Sequence, residues 1–495
     1  MNVYSSVKIN PVLILLLFSI ICYACRKESF YIDGTASIAP SADTLLFDTV
    51  FTTVGSATRS LKIYNYESQP VLLKIHLEQS GNKFFRINVD GYQGPYIESV
   101  EIGAKDSIYI FVEVTVDPDM PVSVSPFIVE DKIIITQGDQ NINIVLLAYG
   151  QNANYIPGVN RKGAISLLSC ELNSVLWDDP KPYVIYGILL IDSCRLEIPE
   201  GARLFIHGGL VKNQDFFYND GLILVLKDGS IDINGSLDRP VVIQGDRLEK
   251  AFNNISGQWS GIRILSESKN NVIRNTIIRN SIVGVRVDSA AHLNIYNSII
   301  ENTSASGLIG VNSSIYGENL LIHSNEGNAM QLTYGGNYEF NYCTLTNYNT
   351  NREALRFDNF VCVSPPFCED RYEPGSGTLK MSNCIVVGRT DDEISFSDFF
   401  KGGEPDFFKY SLSNCIVKVK DLLKPTAFPN FFDNCSDCYN LRSGDKVFSN
   451  INLNDFRLDS MSVAIGKGKP IDGISTDITG KIRKTENPDV GCFEL

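Results

Sequence analysis

The sequence predicts an all-β chain in two parts, a β-sandwich followed by a right-handed parallel β-helix. Three observations carry that expectation. β-formers and turn residues are abundant, with 22 Tyr, 27 Phe and 38 Gly among 495 residues. Residues 43–152 hold seven short alternating or apolar runs separated by turn clusters. Beyond residue 160, two strand phrases return about every 22 residues.

At about 150 residues per domain, 495 residues are too many for one compact domain. Apolar residues make up 44% and charged residues 20%, the balance of a folded chain. The net charge of -14 leaves no basic footprint for nucleic acid, so no nucleic-acid partner is expected. At the N-terminus Lys8 precedes an apolar run from Val12 to Ile21. That is a signal-peptide core, too short for the roughly 20 residues that span a bilayer. The run ends Cys22-Tyr-Ala-Cys25, which resembles a bacterial lipobox. The resemblance implies a signal peptide over 1–24 and thioether-linked lipid on Cys25, with several acyl chains giving a stable membrane anchor. The expected location is the cell envelope, as an outer-membrane lipoprotein, with the surface and periplasmic faces both open. Residues 25–42 read as a tether.

From 43 to 152 the runs are Thr44–Thr53, Leu61–Tyr64, Val71–His76, Phe84–Val89, Ser107–Val116, Lys132–Thr136 and Ile142–Ala148. Strands this short, divided by clusters such as Gln79-Ser-Gly-Asn82 and Asp117-Pro-Asp119, predict an antiparallel sandwich. The segment has neither Cys nor Trp, which excludes an antibody-type domain. It resembles the immunoglobulin-like modules of bacterial envelope proteins. Tyr155-Ile-Pro-Gly158 marks the boundary to a β-helix over 160–495.

The repeats are explicit. Asn275-Thr-Ile-Ile-Arg-Asn280 returns at Asn297, Asn319 and Tyr342, in steps of 22, 22 and 23 residues, and again at Asn383 and Asn414. A second strand begins at Gly261, Gly284, Gly307, Ala329 and Ala354, in steps of 23, 23, 22 and 25. Alternation turns Ile262, Val285, Leu308, Met330 and Leu355 inward as one stack. Ile264, Val287, Gly310, Leu332 and Phe357 form the next, with Gly310 as a weak rung. Asn275, Asn280, Asn297, Asn302, Asn325 and Asn347 are expected in turns, tolerating left-handed backbone or stacking as a ladder. Leucine-rich repeats share the period, but their L-x-x-L-x-L framework is absent.

Three phrases carry a family resemblance: Lys181–Tyr186 with Leu196–His207, Gly257-Gln-Trp-Ser-Gly-Ile262, and the tail from Phe456 through Ser462-Val-Ala-Ile-Gly466 to Pro488-Asp-Val-Gly-Cys-Phe-Glu494. Over roughly 160–495 the chain resembles pectin-lyase-like β-helix envelope lipoproteins of Bacteroidota. It departs from their usual closing phrases at Val463, Gly466, Cys492 and Phe493. The resemblance implies the fold; it implies no particular reaction.

Outward positions of the second strand form two columns. One reads Arg263, Arg286, Ile309, Gln331, Arg356; the other reads Leu265, Asp288, Val311, Thr333, Asp358. Arginines on neighbouring rungs suit a carboxylate or sulfate, so Arg263, Arg286, Asp288, Gln331, Arg356 and Asp358 are the expected ligand-contact face. A lyase would use such a face to stabilise an enolate and abstract a proton. Asp391-Asp392 offers two acids for glycoside hydrolysis, although it lies in a polar turn. His207 falls in the family-like opening phrase and His323 in a repeat turn, neither with a visible Ser or Cys nucleophile. Cys362/Cys368 and Cys435/Cys438 are expected to form loop disulfides. Phe396, Phe399, Phe400, Phe407, Phe408 and Tyr410 crowd one of two insertions (359–377 and 389–407), placed either to stack on sugars or to cap the solenoid. No cofactor, metal or phosphate-loop fingerprint is present. The function expected is binding of a polysaccharide or envelope component without catalysis; an acidic-glycan lyase and a structural scaffold are the alternatives.

Overall fold

The computed structural model describes residues 29–31, 36–51, 58–78, 84–115, 127–157, 164–170, 173–212, 217–248, 252–364, 368, 371–428 and 430–495. The signal segment, Cys25 and residues 26–28 and 32–35 of the expected tether lie outside the described residues. The chain divides into two compact units, residues 1–152 and 153–495.

The first unit stacks two five-stranded sheets. Alternation does the work: in Val71–Leu77 the residues Val71, Leu73, Ile75 and Leu77 are buried, in one core with Ile133, Ile135, Ile144 and Leu146 of the same sheet and Leu61, Ile63, Ile110 and Val112 of the other. Three details depart from the sequence expectation. Tyr96–Ile102 is an additional strand, paired with Val71–Leu77. Its alternation is broken at Ser99, whose φ is 62°, opposite a bulge between Leu73 and Ile75, so its pattern escaped a period-two reading. Thr44–Phe51 pairs in parallel with Gln140–Gln151, in a sandwich otherwise antiparallel. The tether is also shorter than 25–42: Ile38–Pro40 pairs with Asn65–Ile63, and Ala36 and Ile38 are buried in the sandwich core.

The second unit is a parallel β-helix. Each coil supplies three strands that pair in register with those of the next coil. The first row runs from Ile165–Leu168 through Gly261–Ile264 to Ile394–Ser397. The second runs from Ser174–Leu176 through His292–Tyr296 and Phe408–Ser413 to Cys435–Ser436. The third is an eleven-stranded sheet from Asn154–Ile156 to Tyr439–Asn440. The solenoid therefore begins before residue 160: Asn154–Ile156, read as a boundary, pairs with Tyr183–Ile185.

Both predicted inward stacks of the first row are buried. Gly310 is not a void. A Cβ there would stand 2.8 Å from Tyr338 Cε1, and one at Gly317 would stand 2.5 Å from Phe340 Cδ1. The glycines of one coil make room for the aromatics of the next, so packing density is kept by trading volume along the axis.

The asparagines do both things expected of them. Asn275, Asn297, Asn319, Asn383 and Asn414 have φ between 44° and 54°, and Tyr342 takes the same place at 53°. Asn302 donates to Asn280 at 2.7 Å and Asn325 to Thr303 at 2.8 Å, each one coil away.

The tail explains its family-like closing motif. The outer face of the third row carries Leu321, Ile385, Val387 and Ile416, and Val447, Phe448, Phe456, Leu458, Val490 and Cys492 cover them. The covering segment is held along the turn column: Asn319 donates to the Thr476 carbonyl (3.0 Å), Asn383 to Lys469 (2.7 Å) and Asn414 to Lys467 (3.0 Å). Buried Arg483 stacks 3.8 Å from the Tyr342 ring, donates to Asn319 Oδ1 at 2.7 Å and pairs with Glu494 at 3.5 Å.

The expected insertion 389–407 contains a coil strand, Ile394–Ser397. Phe396 lies in the interior, where Phe408, Tyr410, Phe428 and Phe431 pack around it with ring centroids 4.8–6.0 Å away. This cluster closes the C-terminal end of the core. Of the two roles considered for these aromatics, the packed ones have the capping role.

One substitution tests the volume trade. Gly310→Val, which the repeat pattern alone would offer as a repair, is expected to destabilise the solenoid by about 1–3 kcal/mol through overpacking against Tyr338. Denaturant unfolding measures it; a gain in stability would refute the account.

Candidate functional site

In the first row Arg263, Arg286, Ile309, Gln331 and Arg356 stand on successive rungs. The aspartates beside them are buried rather than exposed. Asp288 is 6% exposed and Asp358 is 1% exposed. The Asp288 carboxylate folds back and accepts from Nε of both Arg263 and Arg286 at 2.7 Å. Asp358 accepts from Arg356 Nε at 3.0 Å, from the Tyr334 N–H at 3.3 Å and from the Thr333 hydroxyl. Buried carboxylates need such partners, because desolvated charge is costly alone. The structure thus gathers five of the six residues into two groups: Arg263–Asp288–Arg286, and Arg356–Asp358. Gln331 is separate and accepts from Ser306 Oγ at 3.2 Å.

The other sequence candidates resolve into structural parts. Asp392 accepts the backbone N–H groups of Lys420, Asp421 and Leu422, and Asp391 pairs with Lys420 at 2.7 Å. His207 Nδ1 lies 2.7 Å from Asp246 Oδ2, and this hydrogen bond raises its pKa above the ordinary histidine value. His323 sits in the strand Leu321–His323, not in a turn, with Nε2 3.1 Å from Glu301. Disulfides join Cys362 to Cys368 and Cys435 to Cys438. A third joins Cys170 to Cys194, which sequence reading missed. Their separation of 24 residues, close to one coil, was the available signal. Among the described residues no three His, Cys, Asp or Glu side chains converge as a metal site.

The second row was not read from the sequence at all, and it carries a cleft. His292–Tyr296, the latter half of Leu308–Glu318 and the latter half of Met330–Asn341 lie side by side. Their outward residues form the columns His292, Ser314, Asn337 and Asn294, Tyr316, Glu339. Small Ser314 between longer neighbours leaves a depression of about 240 Å³, closed at one end by Asn270 and Asn271. Asn271 is already fixed, donating to Ser268 Oγ and the His292 carbonyl and accepting from Ile231 N–H.

Tyr316 is the rigid centre of this surface. Its hydroxyl donates to Glu318 Oε2 at 3.3 Å and accepts from Asn341 Nδ2 at 3.4 Å, and its ring lies 5.7 Å from that of Tyr296. Burial pushes its pKa up to about 12 and raises that of Glu318. Burial, reinforced by Lys269, lowers that of His292. The lining therefore offers amides, hydroxyls, one aromatic face and one carboxylate, a composition suited to hydrogen-bonding a polyhydroxylated ligand. The signal was present in the alternating phrases His-Leu-Asn-Ile-Tyr, Ser-Ile-Tyr-Gly-Glu and Asn-Tyr-Glu-Phe-Asn, spaced at the repeat period.

Comparison with known proteins agrees with the fold. Residues 204–351 match the family model described as a right handed beta helix region, which gives the solenoid its hand. No curated protein matches the chain. Among solved structures, the catalytic unit of an alpha-1,3-glucanase from Streptomyces thermodiastaticus is similar at 9% identity and a TM-score of 0.25, over 72% of this chain and 79% of that one. A C. elegans MSP family member is similar at 14% identity and a TM-score of 0.15, over 23% of this chain and 99% of that one. A protein of unknown function from Porphyromonas gingivalis gives 14% identity and 0.18, over 28% and 57%. Likeness at these scores says nothing of activity.

One acid near the sequence-predicted pair has an unusual environment. Glu393 is fully buried, and burial pushes its pKa up to about 7 against the donors Thr390 and Ala354. The Thr390 hydroxyl lies 2.6 Å from the Asp392 carbonyl and 2.8 Å from Glu393 Oε1, so it can donate to the first and accept from a protonated Glu393. A folded-state pKa above the ordinary 4.5 means that the folded chain binds this proton more tightly than the unfolded one. Its contribution to stability is therefore full below that value and is lost as pH rises towards 7. Denaturant midpoints of Glu393→Gln and wild type, compared at pH 5 and pH 8, should shift in the variant's favour at the higher pH by about 1–3 kcal/mol. An unchanged difference would show that Glu393 is ionised throughout.

Proposed function

We propose that the protein is a lipid-anchored component of the cell envelope whose β-helix binds polysaccharide without catalysis. The observation that carries the binding reading is the second-row cleft, where Tyr316 is pinned between Glu318 and Asn341 and flanked by Asn294, Ser314, Asn337 and Glu339. An aromatic face beside fixed amides and hydroxyls is the chemistry that holds sugar rings. The lipobox-like Cys22-Tyr-Ala-Cys25 supports the anchor. The lyase alternative draws less support, because Nε of both Arg263 and Arg286 is committed to Asp288.

Two measurements test these parts separately. In cells, the full chain is expected in the membrane fraction and Cys25→Ser in the soluble fraction or as unprocessed precursor. Equal partitioning of both at the same processed length would remove the anchor. Affinity electrophoresis of the full chain in detergent, against a panel of polysaccharides, is expected to show retardation. Tyr316→Ala should weaken it about two- to tenfold, in keeping with the ~0.5–1.5 kcal/mol of an aromatic contact beyond its area. Retardation untouched by Tyr316→Ala would move the site elsewhere, and unsaturated uronate or new reducing ends among the products would make the protein an enzyme.

A further inference from the structure

We propose that the second-row cleft takes uncharged glycan and that Glu339 is the residue that turns acidic sugars away, an inference that rests on the glycan-binding reading above. The cleft lining contains one carboxylate and neither lysine nor arginine. Glu339 is exposed at its end of the cleft, on the rung beside Tyr316, and its Oε1 lies 3.4 Å from Asn341 Nδ2. Glu318 adds a second carboxylate on the far side of the Tyr316 hydroxyl.

A bound uronate or sulfate would bring a third negative charge to this surface. No lysine or arginine reaches into the lining to offset it. Lys269 lies close enough to His292 to lower its pKa but is not part of the lining. Burial likewise works against a positive charge on His292. Lys380 occupies the rung after Glu339 and is not part of the lining. The guanidinium pair able to hold an anion, Arg263 and Arg286, belongs to the first row. An uncharged sugar meets no such repulsion and finds donors and acceptors for its hydroxyls. Specificity here comes from a repulsive element as well as an attractive one.

The test uses pairs of polysaccharides with one backbone and two charge states: highly methyl-esterified and de-esterified homogalacturonan, and dextran and dextran sulfate. Affinity electrophoresis of the full chain in detergent is run with wild type, Glu339→Gln and Glu339→Lys. Wild type is expected to bind an uncharged member at least about tenfold more tightly than its charged partner. Glu339→Gln should narrow that gap and Glu339→Lys should close or reverse it. Equal or tighter binding of the charged member by wild type overturns the inference while leaving glycan binding in place. So does a gap that Glu339→Lys leaves unchanged. Failure of wild type to bind any member in any pair removes the glycan reading itself, and this inference with it.

Discussion

The in-register ladder between successive coils is the constraint from which the rest of the solenoid follows. Parallel pairing places the same position of each coil about 4.8 Å above the last, so every side chain has a like-placed neighbour on both sides. An inward position must then be apolar on every coil, or its neighbour must compensate, as Tyr338 and Phe340 do for Gly310 and Gly317. A turn position must tolerate left-handed backbone on every coil, hence the asparagine column from Asn275 to Asn414. Cys343, Cys384 and Cys415 likewise precede the paired residues Thr344, Ile385 and Ile416, and stack as buried thiols.

The same ladder decides what charge can do. Two arginines on adjacent rungs repel one another unless an anion lies between them, and Asp288 supplies it from within the fold. Desolvation of that carboxylate is offset because both of its oxygens are engaged. The first-row face that looked from the sequence like an open grip is thus largely satisfied by its own residues. The terminal nitrogens of Arg263 and Arg286 remain at the surface, with side chains 43% and 38% exposed.

Legibility in the sequence followed the strength of each row's pattern. The third and first rows were plain because their phrases repeat nearly the same residues, Asn-x-Ile-Ile and Gly-Val-Arg-Val among them. The second row was invisible because its inward positions trade size from coil to coil: Leu293 and Ile295, then Ile315 and Gly317, then Tyr338 and Phe340. Only the alternation is kept, and a short alternating run is a weak signal beside a repeated phrase. The arginine and aspartate columns were placed on the correct strands, but the burial of Asp288 and Asp358 against their arginine partners depends on side-chain geometry that alternation cannot supply. In the sandwich, Tyr96–Ile102 was lost for a local reason, the positive φ at Ser99.

Which face of the solenoid meets a ligand then follows from what each row has left to offer. The outer face of the later third-row strands is apolar and lies beneath the C-terminal segment, itself locked by buried Arg483, Asp489 and Glu494. In the first row, the arginines on adjacent rungs answer to Asp288. The second row combines a depression with exposed amides and an aromatic ring whose hydroxyl is tied down. A ligand binding there finds Tyr316 and Asn271 already held in place, so less ordering is required on association than at a surface of free side chains. The closing segment contributes to this arrangement from behind: Asn319, directly after Glu318, is gripped by Arg483 and Thr476. The tail that seals the third row thereby also anchors the end of the strand that carries Tyr316.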